Sequence, residues 1–505
     1  MAPPRPRGDG APEHVAPMTR EQLLVTIAVM AGLAVAALDT TVVATAMPTI
    51  IGQLGGVQRY GWVFSGYLLA ATTTVPMFSK LADMYGRKPV FLVGISLFVG
   101  GSVLCGLSQS IVQLIVFRTL QGLGAGAVQP MAVTIVGDVF EPVKRARVQG
   151  FFSSVWGVSA LVGPALGGLL TTTVGWRWVF YVNVPVGAVA TVLLIRYFHE
   201  RIERRSHRLD WAGTISLSAG IALLLIAVTE VGTTAGWSSL AFLGLLTLAV
   251  ALLAAFVGIE RRAAEPVIDL DLVRRPLLSA ALVLQVLAGV LLFGVQSYVP
   301  PMVQGIQGGT AVAAGAAVAT MSIGWPLAAI VTGRWLVRST SRPPMILGAA
   351  CLLAGSLLLI QIARIDSLPY TMLASAVVGS GLGFLNTAVI VTVQSSVPWE
   401  RRGVVTGLVQ FSRTIGGAVG VGLLGGILSA VVGPRASEIL DPLRRADVPP
   451  REFEALAASL TAGLVGIYIL LAAVALVAVV VAWRRAPAVA VTAPAASPTA
   501  GEPPS

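Results

Sequence analysis

The stretch VAALDTTVVATAMP, Val35 to Pro48, sets one carboxylate, Asp39, near the middle of an apolar run long enough to cross a bilayer. A charged side chain at the centre of a spanning helix costs about 2.5–3.5 kcal/mol on insertion scales. Some other part of the chain must offset that cost, and the rest of the sequence indicates where.

The 505 residues are 55% hydrophobic and only 11% charged, with a mean hydropathy of +0.84. Soluble domains carry roughly 25% charged residues, so most of this surface is expected to face lipid. The first apolar run exceeds the roughly 7–15 residues of a signal-peptide core and lacks an evident Ala-x-Ala cleavage site. It reads as the first spanning helix. The net charge of +11 would suggest nucleic acid in a soluble protein. Here the basic residues cluster between apolar runs, so they read as membrane orientation and no nucleic-acid partner is expected. Cys105 and Cys351 lie within predicted spans and read as free thiols. His14, His199 and His207 fall in polar segments, and no metal-ligand spacing or cofactor signature occurs.

About 20 apolar residues span a bilayer as a helix. Fourteen such runs lie near 22–47, 61–79, 89–107, 111–136, 149–170, 177–198, 211–229, 238–259, 277–298, 311–333, 344–363, 369–393, 404–430 and 461–483. An even count puts both termini on one side. With the N-terminus in the cytoplasm, 25 of the 34 lysines and arginines fall in inner segments and 7 in outer ones, leaving Arg118 and Arg413 inside helices. That asymmetry follows the positive-inside rule and predicts a multi-pass protein of the cell membrane with both termini cytoplasmic.

The second half faintly echoes the first. SKLADMYGRK (79–88) ends the second run and GRWLVRSTSR (333–342) ends the tenth; ARVQG and GVVTG precede the fifth and thirteenth. The expected layout is a cytoplasmic tail (1–21), a six-helix bundle (22–198), a linker with two inserted helices (199–276), a second six-helix bundle (277–484) and a disordered cytoplasmic tail (485–505). Repeated halves with a site at their interface are a recurring transporter plan. The outer segment 431–460 reads as a solvated loop with a short amphipathic stretch.

Three motifs sit at helix ends and bends. In LADMYGRKP (81–89), Asp83 closes one helix, Gly86 permits a tight turn, and Arg87 and Lys88 hold the loop inside. It reads either as a plain positive-inside loop or as a latch in which Asp83 pairs across the half-interface. FRTLQGLGAG (117–126) places Arg118 and Gln121 inside the fourth helix. In WGVSALVGPALGGLL (156–170), Gly157, Gly163, Gly167 and Gly168 let another helix approach closely, and Pro164 removes a helix hydrogen bond; this reads as a packing hinge.

Together these motifs resemble the major facilitator superfamily, specifically its fourteen-helix drug:proton antiporter branch. LDTTVVATAMP is similar to the branch's first-helix motif, SKLADMYGRK to the superfamily's loop motif (with Ser79 where Gly is usual), RTLQGLGAG to the fourth-helix motif, and GPALGG with WRWVFYVNVPVG (176–187) to the antiporter signature and sixth-helix start. In the second half Val337 stands where Asp83 would align, so a latch is expected to be stronger in the first half. The resemblance implies an all-α fold of two six-helix bundles plus an inserted pair. It also implies a proton-coupled exporter of hydrophobic or amphiphilic small molecules, most simply drugs or toxic compounds.

Depth estimates place a partner beside Asp39. At about 1.5 Å per residue, Asp39 lies roughly 24 Å beyond Leu23, and Arg118 about 10 Å below the outer boundary marked by Ile111. In a core of about 30 Å both fall in the outer half and can face one another. A neighbouring guanidinium favours the ionised carboxylate while burial favours the neutral acid, which makes Asp39 and Arg118 candidates for proton coupling. The alternative is a static ion pair that fixes packing. Arg413, in QFSRTIGG, has no acid at its depth and is expected to meet Asn386, Gln410, helix carbonyls or the cavity. Gln121, Trp156, Asn183, Gln296, Trp325, Asn386 and Arg413 are the candidates for a substrate cavity. No Gly-x-x-x-x-Gly-Lys-Ser/Thr loop occurs, so direct ATP drive is not expected. Neither is enzymatic activity, since no histidine or cysteine constellation lies at membrane depth. The expected partners are a small-molecule substrate, protons and the bilayer, with the protein monomeric. Export of an endogenous metabolite or lipid, or proton-coupled nutrient import, would fit the same scaffold.

Overall fold

The computed structural model describes residues 18–140, 142–200, 210–231, 239–263, 268, 270–336, 338–398, 402–432, 439–440 and 448–486, with a few side chains inside helices also left undescribed. Among the described residues the chain is helical throughout. In order the helices are α1 (Arg20–Leu54), α2 (Tyr60–Tyr85), α3 (Arg87–Leu107), α4 (Ile111–Val139), α5 (Pro142–Thr173), α6 (Trp178–Tyr181), α7 (Asn183–Tyr197), α8 (Trp211–Val231) and α9 (Leu240–Glu260). They continue with α10 (Leu270–Val273), α11 (Pro276–Pro301), α12 (Ala311–Leu336), α13 (Arg342–Gln361), α14 (Leu368–Ser395), α15 (Arg402–Val431) and α16 (Pro450–Arg485).

Every one of the fourteen apolar runs lies on helix. Eleven helical stretches among the described residues are long and apolar enough to cross a membrane. The other three runs lie on α2, α5 and α8; among the described residues α5 contributes the apolar stretch Gly157–Thr173 and α8 the stretch Trp211–Leu224. Several boundaries differ from the sequence reading; α2 runs on to Tyr85 and α5 begins at Pro142. The first helix extends seven residues past the expected 47, through Pro48, to Leu54. The last begins at Pro450 rather than near 461, so the end of the expected outer loop is helical; Pro sits at its start and Glu452 in its first turn, both suited to a helix N-terminus.

Local signals set the ends. Thr19 and Gln22 form a reciprocal capping box on α1, and Ser110 and Ser239 cap α4 and α9. Gly86 joins α2 to α3 with φ of 99°, a conformation that disfavours a side chain. The side chain of Glu200, just past α7, accepts the backbone N–H groups of Arg87 (2.5 Å) and Lys88 (3.0 Å). In the same corner the Lys88 ammonium donates to the carbonyls of Ile195 (2.9 Å) and Phe198 (2.6 Å).

Glycine lets the helices approach backbone to backbone. A Cβ on Gly163 would lie 1.9 Å from Thr41 Oγ1, and one on Gly167 2.5 Å from the Val42 carbonyl, so α5 lies directly on α1. Gly168 meets Val312, and Gly315 meets the Pro164 carbonyl, so the same helix also lies on α12. Pro164 stands inside a helix assigned without interruption from Pro142 to Thr173. The motif expected as a hinge is thus a seam between α1, α5 and α12. Gly157 is the exception: a Cβ there would meet nothing within 4 Å.

The helices before α8 meet those after α9 mainly at the end that carries Leu54. There Tyr60 donates to the Ser297 carbonyl (2.6 Å), Ser65 to Ala418 (2.9 Å), Gln304 to Thr45 (3.0 Å) and Ser429 to Gln58 (2.5 Å). Gly61 and Gly425 let α2 and α15 touch. This end of the molecule is closed.

Candidate functional site

Asp39 is fully buried, with its side chain 0% exposed. The Arg118 Nη1 donates to its Oδ2 in a close ion pair. Its other oxygen, Oδ1, accepts from Gln121 Nε2 (2.8 Å) and Asn183 Nδ2 (3.0 Å). Arg118 and Gln121 are three residues apart on α4 and so share a face; the same Nη1 also donates to Gln121 Oε1 (2.7 Å). Ser102 Oγ, on α3, accepts from both amides, at 2.7 Å from Gln121 and 3.2 Å from Asn183. Cys105, one turn further along α3, donates its Sγ–H to Gln121 Oε1 (3.7 Å). Four helices, α1, α3, α4 and α7, therefore supply one connected polar network.

Gln121 and Asn183 were expected to line a substrate cavity. Their amides are instead directed at Asp39, and both residues are buried. Sequence reasoning placed both within spanning helices, which does not say which way round the helix a side chain points. Ser102, Cys105 and Tyr67 were missed as neighbours of the pair. The Arg118 guanidinium stacks 4.1 Å from the centre of the Tyr67 ring, a cation–π contact that adds to the offset of the buried charge. The Arg118 Nε and the Tyr67 hydroxyl are buried without a hydrogen-bond partner.

Beside this network a small cavity opens between the helices before α8 and those after α9. It is lined by Thr40, Phe64, Tyr67, Leu68, Arg118, Phe293, Gln296 and Ser297. Of the cavity candidates, Gln296 is here; its amide donates to the Thr40 carbonyl (3.3 Å), next to Asp39 in sequence. The cavity wall thus presents Arg118 and aromatic rings, while Asp39 sits behind them, engaged by three donors.

Arg413, Asn386 and Trp325 come together from α15, α14 and α12. Arg413 Nη1 donates to Asn386 Oδ1 (3.4 Å), and its guanidinium lies 5.5 Å from the Trp325 ring centre. Its Nε is buried without a partner. Among the described residues no acid forms an ion pair with it. The backbone of α15 at this point presses on α11: a Cβ on Gly289 would lie 1.9 Å from the Arg413 carbonyl.

The side chains of Trp156 and Asp83 lie outside the described residues, so neither the cavity role of the one nor the latch role of the other meets a described contact. The rest of the loop motif is held within the first helices: Gly86, Arg87 and Lys88 close around Glu200, whose carboxylate also lies 3.9 Å from Arg87 Nη1. Glu200 lies at the start of the linker expected over 199–276 and was not among the residues expected at a site. No group of three or more potential metal ligands occurs among the described residues.

Residues 29–421 match the sequence model of the Major Facilitator Superfamily. The chain is 34% identical over 407 residues to multidrug resistance protein 3 of Bacillus subtilis (strain 168), covering 81% of this chain and 80% of the relative. It is 34% identical over 414 residues to the tetracenomycin C resistance and export protein of Streptomyces glaucescens, covering 81% and 76%. Among solved structures, a bacterial homologue of the human lysosomal transporter Spinster, in an inward-facing and unoccupied conformation, superposes with a TM-score of 0.67 at 16% identity, covering 93% of this chain and 98% of that one. An auto-inhibited POT family peptide transporter gives 0.63 at 18% identity, covering 92% and 96%. The fold, the ordered motifs and the match across most of the sequence lead to one assignment: this chain belongs to the Major Facilitator Superfamily.

Proposed function

We propose that the protein is a proton-coupled exporter of hydrophobic or amphiphilic small molecules, a drug:proton antiporter with fourteen membrane spans, two six-helix halves joined by the inserted pair α8–α9, and both termini in the cytoplasm of a monomer. The names of its relatives supply the substrate class. The observation that carries the mechanism is the buried Asp39–Arg118 pair, with Arg118 in the cavity wall and Asp39 directly behind it. A titratable acid at that place links proton occupancy to what the cavity presents. With Asp39 ionised, Arg118 is held by it. When a proton neutralises Asp39 from the outer side, the ion pair is lost, the guanidinium is freed toward the cavity, and substrate is released. On the inner side the proton leaves and the pair reforms. The closed end at Leu54 is the outer one in this reading, which makes the present conformation inward-facing.

The test is transport in vesicles of purified protein. An imposed proton gradient drives ethidium movement that an uncoupler abolishes, and Asp39→Asn removes the gradient's effect. Gradient-independent movement, or full proton-driven transport by Asp39→Asn, would refute the coupling. Export of an endogenous aromatic metabolite is the second reading, favoured by the similarity to a protein named for tetracenomycin C export and by the Phe64, Tyr67 and Phe293 rings in the cavity wall.

A further inference from the structure

The charges at mid-membrane do not balance. Asp39 answers Arg118, and Arg413 is left over. Helices α11 to α15 contain no Asp or Glu at all, and the acids of α16, Glu452 and Glu454, lie at its start, near the Leu54 end. Arg413 is eleven residues past Arg402, Trp325 eleven before Leu336 and Asn386 nine before Ser395. At about 1.5 Å per residue all three lie roughly 14–17 Å from the helix ends remote from Leu54, halfway through a core of about 30 Å. An arginine at that depth is costly and calls for an anion, and the helices around it supply none.

The unfilled groups in this cluster are all hydrogen-bond donors. A guanidinium only donates, so Asn386 has to turn its oxygen toward Arg413, which leaves the Asn386 Nδ2 as a second donor. Among the described residues neither that nitrogen nor the Trp325 indole N–H makes a hydrogen bond, and Arg413 has no contacts beyond Asn386 and the Trp325 ring. The Arg413 Nε is buried without a partner. All three residues are half-buried, so the cluster is open on one side. On α11, one turn before the Gly289 that meets the Arg413 carbonyl, Gln285 is fully buried with neither amide atom paired. Buried polar groups of this kind mark a missing partner.

The cluster adjoins the cavity. One turn along α15 from Arg413, a Cβ on Gly417 would lie 2.1 Å from the Phe293 ring, and Phe293 lines the cavity with Phe64, Tyr67 and Arg118. Arg413 therefore stands next to the aromatic wall, on its side away from Leu54.

We infer, resting on the exporter reading for the cargo, that Arg413, Asn386 and Trp325 form a subsite for an oxyanion, a carboxylate or phenolate, borne on the aromatic body of the exported molecule. The donor-only lining selects an anion, the fork of the guanidinium matches two oxygens on one group, and the indole and the neighbouring rings suit a flat apolar body. Asp39, Arg118 and Arg413 sum to +1, and one bound monoanion brings that sum to zero. A resident acid would neutralise Arg413 permanently, as Asp39 does Arg118; with none in the chain, the counter-charge arrives and leaves with the cargo.

The experiment compares pyrene-1-butyrate with pyrene-1-butanol, which share one aromatic body. Equilibrium dialysis uses full-length protein in phosphatidylcholine nanodiscs, with empty nanodiscs subtracted, at about pH 7.5, where a carboxylic acid is ionised. The acid is expected to bind about tenfold or more tightly than the alcohol, the size of a hydrogen bond to a charged group. Arg413→Gln is expected to bring that ratio to about one, while Arg413→Lys keeps a preference for the acid. Asn386→Asp sets the protein's own carboxylate against Arg413 and is expected to abolish the preference while Tm holds or rises, so the answer does not hang on the folding of one variant. A purely structural arginine would not move this ratio. A ratio near one in the wild type, or a full ratio in Arg413→Gln or Asn386→Asp, would overturn the inference. Adding phosphatidylglycerol to the nanodiscs separates cargo from lipid: unchanged affinity for the acid supports the subsite, and displacement of the acid would assign the oxyanion to a headgroup and overturn it. Transport of the two compounds in vesicles with a proton gradient tests the other reading. A binding preference with no transport of either would count against the exporter and leave the subsite standing; transport with no preference would do the reverse.

Discussion

Replacing Asp39 by Asn keeps the shape of the side chain and removes its charge. The structure sets the consequence. Arg118 is 1% exposed, its Nε has no partner, and its Nη1 is shared between Asp39 and Gln121. In the variant a guanidinium that cannot lose its proton stays buried without an anion. Breaking one side of a buried pair in this way costs about 3–5 kcal/mol. For a cooperative unit of 150–250 residues, close to the size of one six-helix half, each kcal/mol shifts Tm by about 2–4 °C, so a fall of about 6–20 °C is expected. A thiol-reactive dye reads it directly, because Cys105 is fully buried beside Gln121 and becomes reactive on unfolding. Arg118→Gln is expected to be milder, since the carboxyl left behind can take a proton and become neutral. The double variant Asp39→Asn/Arg118→Gln is expected to recover most of the lost stability while remaining uncoupled in transport. A Tm for Asp39→Asn within about 2 °C of the wild type, less than the shift expected for 1 kcal/mol, would refute the claim that the two charges depend on one another.

Other perturbations follow from contacts of different kinds. Gly289→Ala drives a Cβ to 1.9 Å from the Arg413 carbonyl; because backbone cannot yield as a side chain does, it is expected to cost at least the 1–3 kcal/mol typical of overpacking, whereas Gly157→Ala, which meets nothing, leaves Tm unchanged. Glu200→Ala removes the acceptor for two N–H groups at the start of α3, at about 0.5–2 kcal/mol, and faster hydrogen exchange at Arg87 and Lys88 is the readout. Arg413→Gln removes a cation held by one long hydrogen bond and a ring; it is expected to cost less stability than Asp39→Asn and to raise transport of cationic ethidium relative to neutral substrates. Gln304→Ala cuts the hydrogen bond to the Thr45 carbonyl across the closed end, and spin-label distances there are expected to broaden toward an open population.

How much of this was legible in the chain depends on what the bilayer imposes. Long apolar runs form helices in lipid, because a helix satisfies its whole backbone within one segment, and all fourteen runs were found on helix. The meeting of Asp39 with Arg118 was legible for a similar reason: the cost of a charge in lipid demands a partner, and counting residues gives depth. Azimuth is what counting does not give. Gln121 and Asn183 lie level with Asp39 and turn toward it, and one residue of helix rotates a side chain by about 100°. Ser102 and Tyr67 carry no signal of their own in a helix, and Glu200 was hidden by the five arginines of its linker, RYFHERIERRSHR.

The inserted pair shows the same limit at a larger scale. Its two helices are apolar on nearly every face, so their sequence has no stripe from which to read a docking side. Their place is decided by Leu69 and Phe411, which lie more than 300 residues apart in the chain and become a single surface only once α2 and α15 have met. In the proposed export cycle, a helix that packs on both α2 and α15 slides against one of them when the halves rock. Apolar side chains such as Leu217, Ile221 and Phe256 suit that position, because hydrophobic contact is non-directional and survives displacement in a way that a hydrogen-bonded seal would not. The polar clasp at the Leu54 end behaves oppositely: its bonds between Tyr60 and Ser297 and between Gln304 and Thr45 are directional, and must break outright for that end to open.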